Sequence, residues 1–378
     1  MQPQEIRIEL KREIDESYPI IIGRDLADKV LEIANQEHLK NRRIALITDS
    51  NVARIAGDEM ISALAASGRQ GQAFTFPAGE EYKTREVKEH LENYMIDAGY
   101  GRDTLIIAFG GGVVTDLAGF IASTFTRGVP YISVPTTLVG AADASVGGKT
   151  AVNTPTATNL IGAFHQPQAV VIDLNRWLTL KDEHILDGLG ETIKQACIAD
   201  KEFFELLEDA FVNRGLSPLD FVRDEEIVSV VARKNCEIKR DFVMSDVHEG
   251  NRRMGLNLGH TIGRALEAAM DYKMTHGACV AVGLNLQARW GVQFGYITAE
   301  DASRVENVLK NAGLPTELPE NVAVEKIMES MRHDKKAESG NIRFVFQKGI
   351  GGLMTFDDGM YARNVSEEEI IAFLNSQK

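Results

Sequence analysis

Apolar positions follow two different periods along this chain, and the change between them divides it in two. The opening stretch, EIRIELKREIDESYPIIIG (5–23), alternates apolar and charged residues on both sides of a polar segment, which predicts a β-hairpin. RRIALITDS (42–50) is a short apolar run ending in Asp49-Ser50, a helix-capping pair, and a helical period follows to about residue 67. The unit then recurs. GQAFTFPAG predicts a strand and 84–98 a helix; TLIIAFGGG predicts a strand and 113–125 a helix; YISVP and AVVIDL are further short buried strands. Apolar strands alternating with amphipathic helices predict a parallel, doubly wound sheet covered on both faces. After about residue 180 the strand period nearly stops. The stretches 186–212, 225–244, 256–270 and 275–295 are helical in period, and NIRFVFQKGIGGLMTF (341–356) predicts one late strand pair. The expected architecture is therefore a Rossmann-like α/β domain over 1–180 and a mainly helical domain over 181–378, without internal repeats.

Composition narrows the function classes. The chain has 378 residues, 44% hydrophobic and 25% charged, which is long enough for two cores of ordinary globular make-up. Its net charge of −14, with no basic run, argues against nucleic acid or a membrane surface as partner. An anionic ligand would need a local cationic pocket set against that field. The three cysteines, Cys197, Cys236 and Cys279, are odd in number and far apart, as expected of buried free thiols in a reducing cytoplasm. No stretch has the apolar length of an export signal or a membrane span.

Four places carry candidate chemistry. Gly110-Gly111-Gly112 lies between a predicted strand and helix, where glycine lets backbone N–H groups approach a phosphate. The spacing is GGGxxxD and not GxGxxG, so a pyrophosphate-binding turn and a merely tight turn both remain open. PTTLVGAADASVGGKTAVN (135–153) is glycine-rich and nearly without period, which predicts a long loop closing over a ligand. PAGEEYKT (77–84) is a similar turn at a strand end. In the helical half, Glu191 and Lys194 share a helix face, and His260 and His276 each follow turn-like residues. Glu191, His260 and His276 would make an oxygen–nitrogen–nitrogen set for a catalytic divalent metal, but they are spread over some 85 residues and spacing alone does not bring them together.

These segments in order also resemble a known family. GGGVVTDLAGF, RGVPYISVPTTL, DASVGGKTAVN, NLIGAFHQPQAVVID, GLGETIK, CEIKRDFV, RRMGLNLGHTIG, HGACVAVG and HDKK together look like 3-dehydroquinate synthase of the shikimate pathway, over about residues 40–350. The resemblance implies conversion of 3-deoxy-D-arabino-heptulosonate 7-phosphate to 3-dehydroquinate and phosphate, with NAD and zinc or cobalt. It implies metal ligands at Glu191, His260 and His276. NAD contacts would come from Glu80, Glu81, Tyr82 and Lys83, from Gly112, Val113, Val114, Thr115 and Asp116, and from Thr136, Thr137, Lys149 and Thr158. Substrate contacts would come from Asp143, Lys149, Asn159, Lys194, Lys239, Arg253, Asn257, Arg264, Lys335 and Lys336. Arg127 would reach the substrate phosphate of a partner subunit, which implies a homodimer.

The departures from the family pattern are informative. The usual GHTxGHA is GHTIGRA here, so Arg264 replaces a histidine suited to proton shuttling; an arginine stays charged and binds anions. HPxGKN becomes TPTATN, so Thr158 replaces a lysine, and the small pair Ala141-Ala142 precedes Asp143. A sister cyclase acting on sedoheptulose 7-phosphate or glucose 6-phosphate is the main alternative. A polyol dehydrogenase and an inactive paralogue are the others.

Overall fold

The computed structural model describes residues 5–11, 13–155, 157–337, 342–356 and 358–378, excepting the side chains of 157 and 333–337. Its first half is built on a six-stranded, wholly parallel sheet in the order β1-β8-β5-β4-β2-β3. The strands are Ile20–Gly23 (β1), Arg43–Asp49 (β2), Gly71–Phe76 (β3), Thr104–Gly110 (β4), Tyr131–Pro135 (β5) and Ala169–Asp173 (β8). Every residue of β4, β5 and β8 is buried, because helices cover both faces, and this is why those strands read as unbroken apolar runs. The covering helices are Ala27–Ala34 (α1), Ser50–Val52 (α2) continuing into Asp58–Ala66 (α3), Arg85–Asp97 (α4) and Gly112–Thr124 (α5). Asp49 caps α2 by accepting from the N–H groups of Asn51 and Val52, and Thr84 caps α4 through that of Val87.

The second half is mainly helical: Asp182–Ala199 (α6), Lys201–Glu208 (α7), Pro218–Arg223 (α8), Glu225–Ser245 (α9), His260–Ala269 (α10), His276–Gln293 (α11), Ala299–Ala312 (α12), Val324–Ala337 (α13) and Glu367–Ser376 (α14). One continuous core joins the halves, running from Leu138, Val170 and Ile172 through Trp177 to Ile193, Phe204 and Val231.

Three expectations need correction. Among the described residues of 5–23 there is no hairpin; Ile20–Gly23 is a strand, and it pairs in parallel with β8. The predicted 135–153 loop is largely structured. Gly140–Ala144 is a turn of π-helix, and Lys149–Thr154 (β6) pairs antiparallel with Ala157–Phe164 (β7). The late strand Ile342–Val345 (β9) pairs with Ala362–Val365 (β10), while among the described residues of 342–356 the pairing is an isolated bridge between Gln347 and Leu353. In each case strand partners are chosen by tertiary contact, which a local apolar pattern does not encode.

Candidate active site

The centre of the site is made where α6, α10 and α11 cross at unusually short range. Gly277 on α11 lies so close to α6 that a Cβ there would sit 1.9 Å from the carbonyl oxygen of Asp187. The contact is sealed by the Gly277 N–H, which donates to Asp187 Oδ1 at 2.6 Å. α10 begins at Gly259, which is left-handed at φ 80° and donates its N–H to Gln287 Oε1. Thus Glu191 in the middle of α6, His260 at the start of α10 and His276 at the start of α11 converge. Their ligand atoms all lie within 4.8 Å of one another.

This trio has the properties of a metal site. Glu191 Oε1 is 3.2 Å from the Nε2 of both histidines, yet it receives no hydrogen bond of acceptable geometry and is fully buried. A buried carboxylate oxygen left in that condition is costly unless a cation completes it. The outer atoms are already committed. His260 Nδ1 is 3.2 Å from the carbonyl of Leu258, which can only accept, so Nδ1 carries the hydrogen and the Nε2 lone pair faces Glu191. Glu267 Oε2 does the same for His276 Nδ1 at 3.2 Å. Lys194 Nζ donates to Glu191 Oε2 at 2.6 Å and to the carbonyl of Leu256 at 2.8 Å. Burial alone would raise Glu191, but the Lys194 ammonium and His260 hold it well below the ordinary carboxyl range. Burial pushes the His260 imidazole down to about 4, so it is neutral at pH 7.

A cluster of cations lies beside the trio. Lys239, on α9, forms a short ion pair with Asp143. Burial would raise Asp143, but Lys239 keeps it ionised. Arg253 is almost wholly buried; it donates to the carbonyls of Val247 and Gly147 and has an unpaired Nε. Gly147, at φ 99°, is required here, since a Cβ would lie 2.4 Å from the Arg253 guanidinium. Lys149 pairs with Glu249, whose other oxygen accepts from Asn257 Nδ2 at 2.9 Å. Arg264 Nη2 is 3.3 Å from Asn257 Oδ1. Burial, with Arg253, Lys239 and Arg264 nearby, pushes the Lys149 ammonium down to about 7. Glu249, Glu267 and Asp187 were not legible as site residues. Asp187 alone carried a signal, one helical turn before Glu191 on the same face.

Residues 80–83, 112–116 and 136–137, where the resemblance implies NAD contacts, follow the carboxyl ends of β3, β4 and β5. Gly111 precedes α5 and no side chain caps the helix, so the first-turn N–H groups at Gly112, Val113 and Val114 lack a side-chain partner. The Val114 side chain is itself enclosed in the core and Thr115 Oγ1 donates to the Gly112 carbonyl. Cβ atoms at Gly111 and Gly112 would approach Thr137 and Ala144 to 3.2 and 3.3 Å, so the cradle is free of side chains and tight. Thr136 is buried, its N–H donating to the Gly110 carbonyl. Lys83 Nζ donates to Asp116 Oδ2 at 2.5 Å and to Asn159 Oδ1 at 2.6 Å, and Asn153 Nδ2 donates to Glu80 Oε1. The side-chain oxygen of Asn159 is thus taken up by Lys83. Thr158 is partly buried on β7, and Glu81 and Tyr82 lie on the turn beside Lys83. Arg127 is exposed on a turn at φ 74° and contributes no hydrogen bond to these groups. The side chains of Lys335 and Lys336 lie outside the described residues.

Residues 73–187 match the family model described as 3-dehydroquinate synthase N-terminal, and 188–337 match its C-terminal counterpart. The chain belongs to the 3-dehydroquinate synthase family. Members of that family from Caldanaerobacter subterraneus and Desulforamulus reducens are 39% and 38% identical to it, covering 98% and 95% of this chain and 99% and 97% of theirs. In solved structures, a 2-epi-5-epi-valiolone synthase from Streptomyces hygroscopicus with NAD+ and Zn2+ bound superposes with a TM-score of 0.85 at 26% identity, covering 98% of this chain and 99% of that one. A 2-deoxy-scyllo-inosose synthase complexed with carbaglucose-6-phosphate, NAD+ and Co2+ has the same score at 24% identity, over 95% and 96%, and shows the shared fold. Among the described residues no helix is long and apolar enough to cross a membrane.

Proposed function

We propose that this protein is a 3-dehydroquinate synthase, converting 3-deoxy-D-arabino-heptulosonate 7-phosphate to 3-dehydroquinate and phosphate. The observation that carries the reading is the buried Glu191–His260–His276 trio set beside five cations, Lys149, Lys194, Lys239, Arg253 and Arg264. A substrate bearing both a phosphate and a carboxylate needs such a cluster, and a neutral polyol does not. When bound, zinc or cobalt held by Glu191, His260 and His276 would supply a Lewis acid, and NAD held at the first turn of α5 would supply a hydride acceptor that is regenerated. The trio fits the metal because the Nε2 atoms of both histidines and the orphaned Glu191 oxygen face one space. The capless glycine turn fits a pyrophosphate. In this division residues 1–180 hold the nucleotide and 181–378 the metal.

The chain's own groups orient and exchange protons. Arg253 presents a buried guanidinium with a free Nε, suited to hold a carboxylate rigidly out of water. Asp143 keeps Lys239 charged and fixed. Arg264 cannot accept a proton, so the task belongs to its neighbours: Glu249 Oε, reached through Asn257, and Lys149 Nζ, whose depressed basicity lets it hold or release a proton near neutrality. Arg264 then serves as an anion anchor. Arg127 is assigned to the phosphate of a second copy's substrate. Three buried free cysteines suit a reducing cytoplasm.

A sister cyclase is the second reading, favoured by the departures at Arg264 and Thr158 and opposed by the retained Lys239, Arg253 and Asn257. Phosphate release with NAD and zinc or cobalt is compared for the heptulosonate phosphate, sedoheptulose 7-phosphate and glucose 6-phosphate, with NADH absorbance followed. Release from the first alone, without lasting NADH, is expected. Release from another sugar phosphate overturns the substrate assignment, and lasting NADH overturns the cyclase reading.

A further inference from the structure

The turn that receives the Arg253 guanidinium is itself held from near the start of the chain. Gly147 is buried at φ 99°, and both its N–H and its carbonyl are committed. The carbonyl accepts from Arg253 Nη2 at 3.1 Å, and the N–H donates to the Tyr18 hydroxyl at 2.9 Å. One residue therefore joins a tyrosine of the first half to an arginine of the second. Tyr18 is firmly seated. Pro19 after it disfavours helical backbone, the Pro19 carbonyl accepts from Val170 N–H at 3.0 Å, and β1 follows at once. Its ring is half-buried and packs against the core that joins the halves. Burial pushes the phenol up, so it is neutral at pH 7.

We infer that Tyr18 is a positioning residue for the substrate carboxylate: through Gly147 it sets the plane of the Arg253 guanidinium. Its role rests on the reading of Arg253 as the partner of that carboxylate. Arg253 Nη1 donates to the Val247 carbonyl at 2.6 Å, so Val247 and Gly147 hold the two ends of the guanidinium. The free Nε takes its direction from both. The residue after Gly147 is pinned separately. The Gly148 carbonyl accepts from His165 N–H at 2.8 Å, and a Cβ on Gly148 would lie 2.5 Å from the Gln166 side chain. Loss of the Tyr18 hydroxyl therefore falls on Gly147, which has no Cβ to resist rotation. A buried N–H without an acceptor is costly, so Gly147 turns towards another partner and its carbonyl releases Arg253.

The two products separate carboxylate from phosphate, since 3-dehydroquinate carries the one and inorganic phosphate is the other. Both are used as inhibitors of the full-length chain with NAD and zinc. Tyr18→Phe is expected to raise KM for the heptulosonate phosphate and the inhibition constant of 3-dehydroquinate about tenfold, the scale of one buried group left unpaired. Its kcat and its inhibition by inorganic phosphate are expected to match the parent. The ring remains, so circular dichroism is expected to match as well. Tyr100→Phe is the control for a merely structural phenol. Its hydroxyl donates to the Ile44 carbonyl at 2.9 Å, at the amino-terminal end of β2, and its loss is expected to lower stability in urea and leave both inhibition constants unchanged. In an Arg253→Gln background, Tyr18→Phe is expected to add less than about twofold, because the two residues act as one unit. Inhibition by 3-dehydroquinate unchanged in Tyr18→Phe, inhibition by both products weakened alike, or the same loss repeated in the Arg253→Gln background overturns the inference while the function reading stands. A parent that releases no phosphate from the heptulosonate phosphate overturns the function reading, and the role of Tyr18 with it.

Discussion

Replacing Gly277 with alanine tests whether the close crossing of α6 and α11 is what builds the metal site. Alanine is the better helix former, by about 1 kcal/mol in a helix interior, and propensity alone would make the change neutral or stabilising. Geometry opposes it. The new Cβ would meet the Asp187 carbonyl oxygen at 1.9 Å, and backbone cannot turn aside as a side chain can, so the helices must part by about 1 Å. Overpacking of this kind costs about 1–3 kcal/mol. The same shift draws His276 from Glu191, and a misplacement of that size is expected to cost on the order of 100-fold in activity. Gly291→Ala, on the same helix, is the control, because its Cβ would meet no backbone, only the side chains of Ile297 at 3.0 Å and Tyr296 at 4.0 Å. Calorimetric titration with zinc or cobalt, chemical denaturation and phosphate release are read on both. Gly277→Ala is expected to lose metal affinity, stability and rate, and Gly291→Ala to keep all three. Gly277→Ala binding metal as the parent does and turning over normally would refute the reasoning.

Glu267→Gln leaves the ligands in place but weakens the acceptor at His276 Nδ1. Metal affinity is expected to fall about 10–100-fold, measured by competition with a chelator. Arg264→Ala removes the anion anchor and is expected to raise KM for the phosphorylated substrate more than it lowers kcat; unchanged kinetics with the true substrate would show that Arg264 has no part in it. For Lys149 the folded state disfavours the ammonium, so its penalty on stability is full below pH 7 and fades as pH rises from about 7 towards the unfolded lysine value. Lys149→Met is therefore expected to be stabilised relative to the parent at pH 6, by an advantage that shrinks towards pH 10 in urea denaturation; half-exposure of the side chain keeps the effect small.

The buried parallel strands were legible because each is a self-contained apolar run, as in RIALITD and TLIIAFG. The arm at residues 5–11 shows the limit of that logic. Its alternation is real, but alternation names no partner, and a hairpin within the chain was the wrong choice. β6 and β7 were hidden for the opposite reason: glycines, threonines and asparagines mask a strand whose partner lies a few residues away, and β10 is too short to announce itself. In the site, residue types were legible and proximity was not. Glu191, His260 and His276 come together through Gly277 set against Asp187, a backbone contact with no sequence period. Glu249 lay unnoticed in a polar stretch until its loop placed it on Lys149 and Asn257.

The Lys194 ammonium reaches two places at once, the outer oxygen of Glu191 and the Leu256 carbonyl in the short turn Arg252–Asn257. That turn carries Arg253 and Asn257, so the Glu191–His260–His276 trio and the turn proposed to hold the substrate carboxylate share one buried proton donor. Charge taken from Glu191 by a bound ion alters how strongly Lys194 is held, and hence how firmly the turn is drawn in. Thermodynamic linkage makes this reciprocal: whatever tightens the turn tightens the ion by the same factor. The factor by which organic substrate changes metal affinity and the factor by which metal changes substrate affinity are then one number seen from two ends.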